Sequence, residues 1–239
     1  MKGGTFSMRF FHSLLRPEEN AGRAMRCVHR LWVFLWLTAF GLGIGLLSLY
    51  LTANSYASID AQALWESYFK LPLLVVMDLL LPLLVVYLGF FLFARPWAAY
   101  LLSAVPFLGL ALASYYKIQL RGDPVLASDL RLIRTAGGIM GNYTFELTEP
   151  VKLVIAGFVG MLIFSVVLLR RERMSQRGRL VGLMAMLTLT LASYFELYTS
   201  ADIYEKTANN SLINPWSEVE IYLSRGTTYP FLYSVQDMF

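Results

Sequence analysis

Apolar residues in this chain run in long unbroken blocks instead of alternating with polar ones. Leu31–Leu51 carries no charge. Leu71–Phe93 carries only Asp78, and Pro96–Tyr116 carries none. Val151–Leu169 has only Lys152 at its edge, and Leu180–Thr199 only Glu196 near its end. About 20 apolar residues span the hydrocarbon core of a bilayer, and only helices or closed barrels satisfy every backbone polar group there. A barrel would show shorter alternating segments. The pattern therefore predicts an all-α integral membrane protein with five transmembrane helices, at about 31–51, 71–93, 96–116, 151–169 and 180–199. The first block follows a basic stretch, as a signal peptide would, and Thr52–Ala57 resembles a weak cleavage site. Its apolar run nonetheless exceeds the roughly 7–15 residues of a signal core, so a retained helix is expected.

Composition sharpens this picture. Hydrophobic residues make up 57% of the 239, and charged residues 15%, against about 25% charged in soluble domains. This argues against a soluble globular domain, and a disordered chain is excluded because the sequence is too apolar to stay solvated. One cysteine, Cys27, and two histidines, His12 and His29, exclude a disulfide framework and a histidine-rich metal site. The net charge of +4 matters through its placement. Twelve of the twenty Lys and Arg lie in segment 1–30, at Arg95, and between Arg170 and Arg179. The positive-inside rule places these in the cytoplasm. Segment 1–30 is then a cytoplasmic basic stretch, and the C-terminus lies outside a plasma membrane.

The predicted outer connections are long, and the inner ones short. Ala61, Leu64, Trp65, Tyr68 and Phe69 share one helical face, which suggests an amphipathic helix lying at the interface. Segment 200–239 reads as an extracellular interfacial linker. In it Asn214 and Pro215 suit a helix start, Trp216, Val219, Tyr222 and Leu223 share a face, and Gly226 suits a helix stop. The outer segment 117–150 contains Arg121-Gly122-Asp123-Pro124 and Ser128-Asp129-Leu130-Arg131. A turn is expected at Gly122–Pro124, and a helix capped by Ser128 after it. Arg121, Arg131 and Arg134 carry guanidinium forks that match phosphate geometry; a solvated charged face is the plainer alternative.

Within the spans, Asp78 and Glu196 are candidates for a polar pocket, with Tyr115, Tyr116, Tyr194 and Tyr198 at similar depth. A charge deep in a span costs about 2.5–3.5 kcal/mol on insertion scales. Gly41-Leu42-Gly43-Ile44-Gly45 has no preceding strand, so it predicts close helix packing, not nucleotide binding. Pro72, Pro82 and Pro106 predict kinks. Cys27 beside His29 is too little for a metal site.

The stretch Arg121-Gly122-Asp123-Pro124 with Ser128-Asp129-Leu130, placed after the third of five spans, resembles the membrane domain of lipoteichoic acid synthases and related phosphoglycerol transferases. The segment Trp216-Ser217-Glu218-Val219-Glu220-Ile221-Tyr222-Leu223-Ser224-Arg225-Gly226, followed by Phe231-Leu232, is similar to that family's exit from the membrane. Phosphoethanolamine transferases share the plan more distantly. The resemblance implies a bacterial cell-envelope protein joined, in cis or in trans, to an extracellular sulfatase-like catalytic domain. That domain would carry a Thr nucleophile and a divalent metal, Mn or Mg, and would draw on phosphatidylglycerol. No residue of this chain matches the nucleophile or metal ligands, so none is assigned a catalytic role. The expected function is a membrane module that anchors that domain and helps present the lipid. Arg121, Asp129, Arg131 and Arg134 are the first candidates for headgroup contact, Asp78 and Glu196 the second. A stand-alone scaffold or sensor for a partner protein, and a small transporter or flippase, are the alternatives. Nothing points to nucleic acid.

Overall fold

The computed structural model describes residues 23–132, 145–169, 174–207, 214 and 216–238. Among them every regular element is helical and none is a strand. Five helices are long and apolar enough to cross a membrane, as the hydropathy pattern predicts. They are α1 (Arg23–Ala53), α3 (Pro72–Phe93), α4 (Pro96–Arg121), α5 (Glu149–Leu168) and α6 (Gln176–Ser193). The last continues through a π-turn, Tyr194–Tyr198. The short helices are α2 (Ala61–Lys70), α7 (Ala201–Lys206), α8 (Glu218–Leu223) and α9 (Thr228–Ser234), with 3-10 turns at Ala127–Leu132 and Val235–Met238.

Helices α1, α3 and α4 pack against one another; α5 adds to α1 and α4, and α6 to α3. The glycine run on α1 makes this closeness possible. A Cβ on Gly41 would stand 2.6 Å from the Leu83 Cα, and one on Gly45 3.0 Å from the Leu79 Cα, both on α3. Small residues let membrane helices approach until their backbones touch, which gains dispersion contacts that lipid tails cannot match. Gly43 faces Met161 on α5 instead.

Prolines set the other details. Pro72 and Pro96 open α3 and α4 at the first helical turn, where a missing N–H leaves no bond unmade. Pro82 and Pro106 lie inside those helices, and each removes one bond to the carbonyl four residues back. Ser103 on α4 donates to the Pro82 carbonyl at 2.8 Å, a side-chain bond that ties the two helices together beside the proline. Between α3 and α4 the chain turns in two residues. Ala94 adopts φ 53°, its N–H bonding the Phe90 carbonyl, and Arg95 is extended, as a residue before proline prefers. Arg179, at the start of α6, donates to the Leu92 carbonyl at 2.5 Å and to the Phe91 carbonyl at 3.4 Å. A cation at a helix C-terminus is favoured by the helix dipole.

The alternation of five helices gathers residues 54–71, 122–132, 145–148, 199–207 and 216–238 at one end of the bundle. Helix α2 forms where amphipathicity predicts it, capped by Asp60, which accepts from the Gln62 N–H at 3.0 Å. Its apolar face is turned inward: Leu64 and Tyr68 are buried against the bundle, while Phe69 is half exposed.

The α1–α3 contact yields a first test. Gly41→Ala is expected to lower the thermal midpoint of the purified protein, because overpacking a tight contact costs about 1–3 kcal/mol. Gly109→Ala, whose Cβ would meet nothing within 4 Å, is expected to leave the midpoint unchanged or raise it slightly. Equal midpoints for the two variants would refute the close-packing role of Gly41.

Candidate functional site

The chemistry-bearing residues fall into two neighbouring groups at the long-connection end. The first surrounds Asp78. It lies at the seventh position of α3 and is fully buried. Its Oδ1 accepts from the backbone N–H of Thr228 at 2.9 Å. The last part of the chain thus returns into the bundle, and residues 222–230 are buried. The sequence suggests an interfacial linker over 200–239; within it residues 222–230 pack as a wedge into the end of the bundle, whereas Ala201, Asp202 and Trp216 are exposed. The helix there begins at Ser217, whose Oγ accepts from Glu220 N–H, and not at the Asn214–Pro215 pair; Asn214 instead accepts from the Trp216 N–H at 3.0 Å. Trp216 is 91% exposed, while Tyr222 and Leu223 are buried.

Several bonds lock the wedge. Tyr68 on α2 donates to the Leu223 carbonyl at 2.7 Å. Burial pushes the Tyr68 phenol well above its ordinary pKa, so the hydroxyl stays a donor. Thr52 on α1 and Thr227 share a short hydroxyl contact. Tyr198, ending the π-turn, donates to the Met77 carbonyl at 2.6 Å and stands edge-on to Tyr229 at 5.6 Å. Arg225 is buried, donates to the Tyr204 and Ile221 carbonyls at 3.0 Å each, and sits 4.3 Å above the Tyr204 ring. Gly226 makes the close approach possible. Its φ is +85°, which glycine adopts without penalty, and a Cβ there would overlap the Asp78 carboxylate and Leu49.

The second group is the loop after α4. Gly122 ends that helix in the left-handed region. Lys117, one turn earlier, donates to Asp129 Oδ2 and to the Pro124 carbonyl, at 2.7 and 2.8 Å. The same Asp129 oxygen accepts from the Leu126 N–H at 2.8 Å, so the loop closes on its own carboxylate. Burial alone would raise the Asp129 pKa, but the Lys117 and Leu126 hydrogen bonds outweigh it and hold the group below its ordinary value. The loop rests on the wedge. Tyr222 donates to the Val125 carbonyl at 2.9 Å, and the Ala127 N–H to Ser234 Oγ at 3.0 Å.

The candidates drawn from sequence therefore separate. Arg121 and Arg131 are exposed on the loop, with Asp129 as its internal clasp. Arg134 lies outside the described residues. Asp78 is held by backbone and closed off by the wedge. Glu196 is exposed on the π-turn. The tyrosines do not form one pocket: Tyr115 and Tyr116 bond Thr148 and the Glu146 carbonyl instead. Lys117, Tyr68 and Arg225 have roles that composition and spacing do not announce. Among the described residues no three His, Cys, Asp or Glu side chains gather as metal ligands would. No protein-family model, curated protein or solved structure matches the chain.

Two outcomes follow from this geometry. Gly226→Ala is expected to lift the wedge, since positive φ and steric overlap together cost on the order of 2 kcal/mol or more; trypsin would then cut after the now accessible Arg225. Asp78→Asn keeps an acceptor for the Thr228 N–H and should stay protected, whereas Asp78→Leu should not. Protection that survives both Gly226→Ala and Asp78→Leu would refute the anchoring. In the loop, a lowered folded-state pKa means the Asp129 clasp is fully present above the ordinary carboxylate range and is lost as pH falls through the lowered value. Hydrogen exchange at Leu126, corrected for intrinsic rate, should thus be slow at neutral pH and fast in acid, and fast at both in Asp129→Asn.

Proposed function

We propose that this chain is the membrane module of a phosphoglycerol transferase of the lipoteichoic acid synthase type. In this reading it sits in a bacterial plasma membrane with its N-terminus in the cytoplasm and its long connections outside. It anchors an extracellular sulfatase-like catalytic domain, supplied in cis or in trans, and holds phosphatidylglycerol within that domain's reach. The observation that supports it best is the contact between the loop and the wedge. The two stretches that carry the family resemblance, 121–130 and 216–232, lie far apart in sequence, yet they bond each other through Tyr222–Val125. The same seat is extended by Ala127–Ser234. Together they make a braced platform with Arg121 and Arg131 exposed on it.

The chemistry assigned to the chain is binding and positioning. Guanidinium groups bond phosphate oxygens with two parallel donors, and charge-assisted bonds are about twice as strong as neutral ones. Arg121 and Arg131 would hold the lipid phosphate, while Lys117 and Asp129 keep their backbone from moving. The divalent metal that the resemblance implies belongs, in this reading, to the catalytic domain. Transport has less support: among the described residues Asp78 is the one buried charge inside a span, and the wedge covers it.

The test is lipid retention. The purified chain in nanodiscs of mixed phosphatidylglycerol and phosphatidylcholine should retain phosphatidylglycerol selectively on transfer to detergent. Arg121→Ala with Arg131→Ala should weaken binding of the phosphatidylglycerol held at this platform about tenfold or more, the loss of two charge-assisted bonds. Equal retention of both lipids by the unaltered chain would overturn the proposal.

A further inference from the structure

The opposite end of the bundle carries a second feature. Between the last turn of α3 and the first three turns of α4 lies an open cleft of about 750 Å³. Leu92, Leu102, Val105 and Pro106 wall it, and Arg95 and Trp97 stand at its mouth. Leu92, Leu102 and Val105 are each more than a third exposed, so the walls of the cleft leave apolar surface uncovered by the described residues. From Arg95 to Pro106 the groove follows eleven residues of helix, about 16 Å at ~1.5 Å per residue. That is about half of the ~30 Å hydrocarbon core, the depth of one leaflet.

The charges at the mouth have one sign. Arg95 is exposed, and its guanidinium makes no hydrogen bond or ion pair among the described residues, its carbonyl alone accepting from Ala99 N–H. The tight turn through Ala94 at φ 53° leaves its side chain at the cleft rim. Arg179 is bonded to the carbonyl of Leu92, a cleft residue, and it too has no carboxylate partner among the described residues. Trp97 is amphipathic, as residues at headgroup level are.

We propose that this cleft binds one anionic phospholipid, with an acyl chain laid along α4 from Trp97 to Pro106 and its phosphate held by Arg95. Arg179 adds positive charge but spends its donors on α3, so Arg95 supplies the bonds. The occupant is a lipid because the groove is apolar along a leaflet's depth and opens on the face of membrane-crossing helices. It is anionic because Arg95 at the mouth and Arg179 beside it meet no carboxylate among the described residues. The site lies at the end of the bundle away from Arg121 and Arg131, so it is separate from the headgroup platform and stands or falls without it.

Native mass spectrometry of the full chain tests this, in nanodiscs of phosphatidylglycerol and phosphatidylethanolamine. The background is Arg121→Ala with Arg131→Ala, which silences the platform. One anionic lipid should remain bound. Arg95→Gln should reduce its preference over phosphatidylethanolamine about tenfold, the effect of losing a charge-assisted bond. Val105→Trp, which fills the groove from a lipid-exposed position, should reduce retention of both lipids. Phospholipid with brominated acyl chains should quench the part of the fluorescence that Trp97→Phe removes. The proposal is overturned by unchanged retention in both variants, by equal binding of the two lipids in the unaltered cleft, or by a Leu102→Cys variant that cross-links two copies of the chain through the groove. Loss of selectivity in the platform variant alone would instead assign the anionic site to Arg121 and Arg131.

Discussion

A carboxyl group placed in a membrane span must find hydrogen-bond donors within the protein. Asp78 finds one for its Oδ1 in backbone, while its buried Oδ2 has no hydrogen-bond partner among the described residues. The bond from Thr228 N–H is available because Gly226 lets the returning chain come within touching distance. Most of the long-connection end is arranged around that meeting. α2 contributes Tyr68, α1 contributes Thr52, and the end of α6 contributes Tyr198, each bonding the wedge or the α3 backbone beside it. The loop after α4 then rests on the wedge. One expensive residue thus recruits five elements into a single platform.

The two ends of the bundle answer different demands. At the long-connection end polar groups are consumed internally, and the exposed cations ride on a braced loop. At the short-turn end the helices stop abruptly, Ala94 accepts a left-handed conformation, and apolar walls are left open. Packing through glycine holds α1 to α3 between them, so the two ends share a rigid middle.

The five spans were legible because hydrocarbon imposes a length and a composition that no soluble context imitates. The close packing at Gly41 and Gly45 was legible for the same reason, since glycine has little other use in mid-membrane. The wedge was not. Residues 222–230 contain Tyr222, Ser224, Arg225, Thr227 and Thr228, which read as polar and surface-bound, and their burial rests on bonds to partners more than a hundred residues away. Helical spacing showed which residues share the α2 face, but not that the face looks inward. Asp129 illustrates a further limit. Its charge was visible among the arginines, but its pairing with Lys117 depends on a turn that folds the loop back over the end of α4.

The separation between Asp78 and Thr228, 150 residues, carries a consequence for biogenesis. At about 5–20 residues per second of synthesis, α3 enters the bilayer on the order of ten seconds or more before its partner strand of backbone exists. During that interval the carboxylate has no native donor, and the membrane-inserted intermediate is incomplete in a chemically specific way. Seating of the wedge therefore follows insertion of all five spans and covers the only charged residue buried within the described spans. A quality-control factor that inspects intramembrane polar groups would find Asp78 uncovered until that moment, and covered after it.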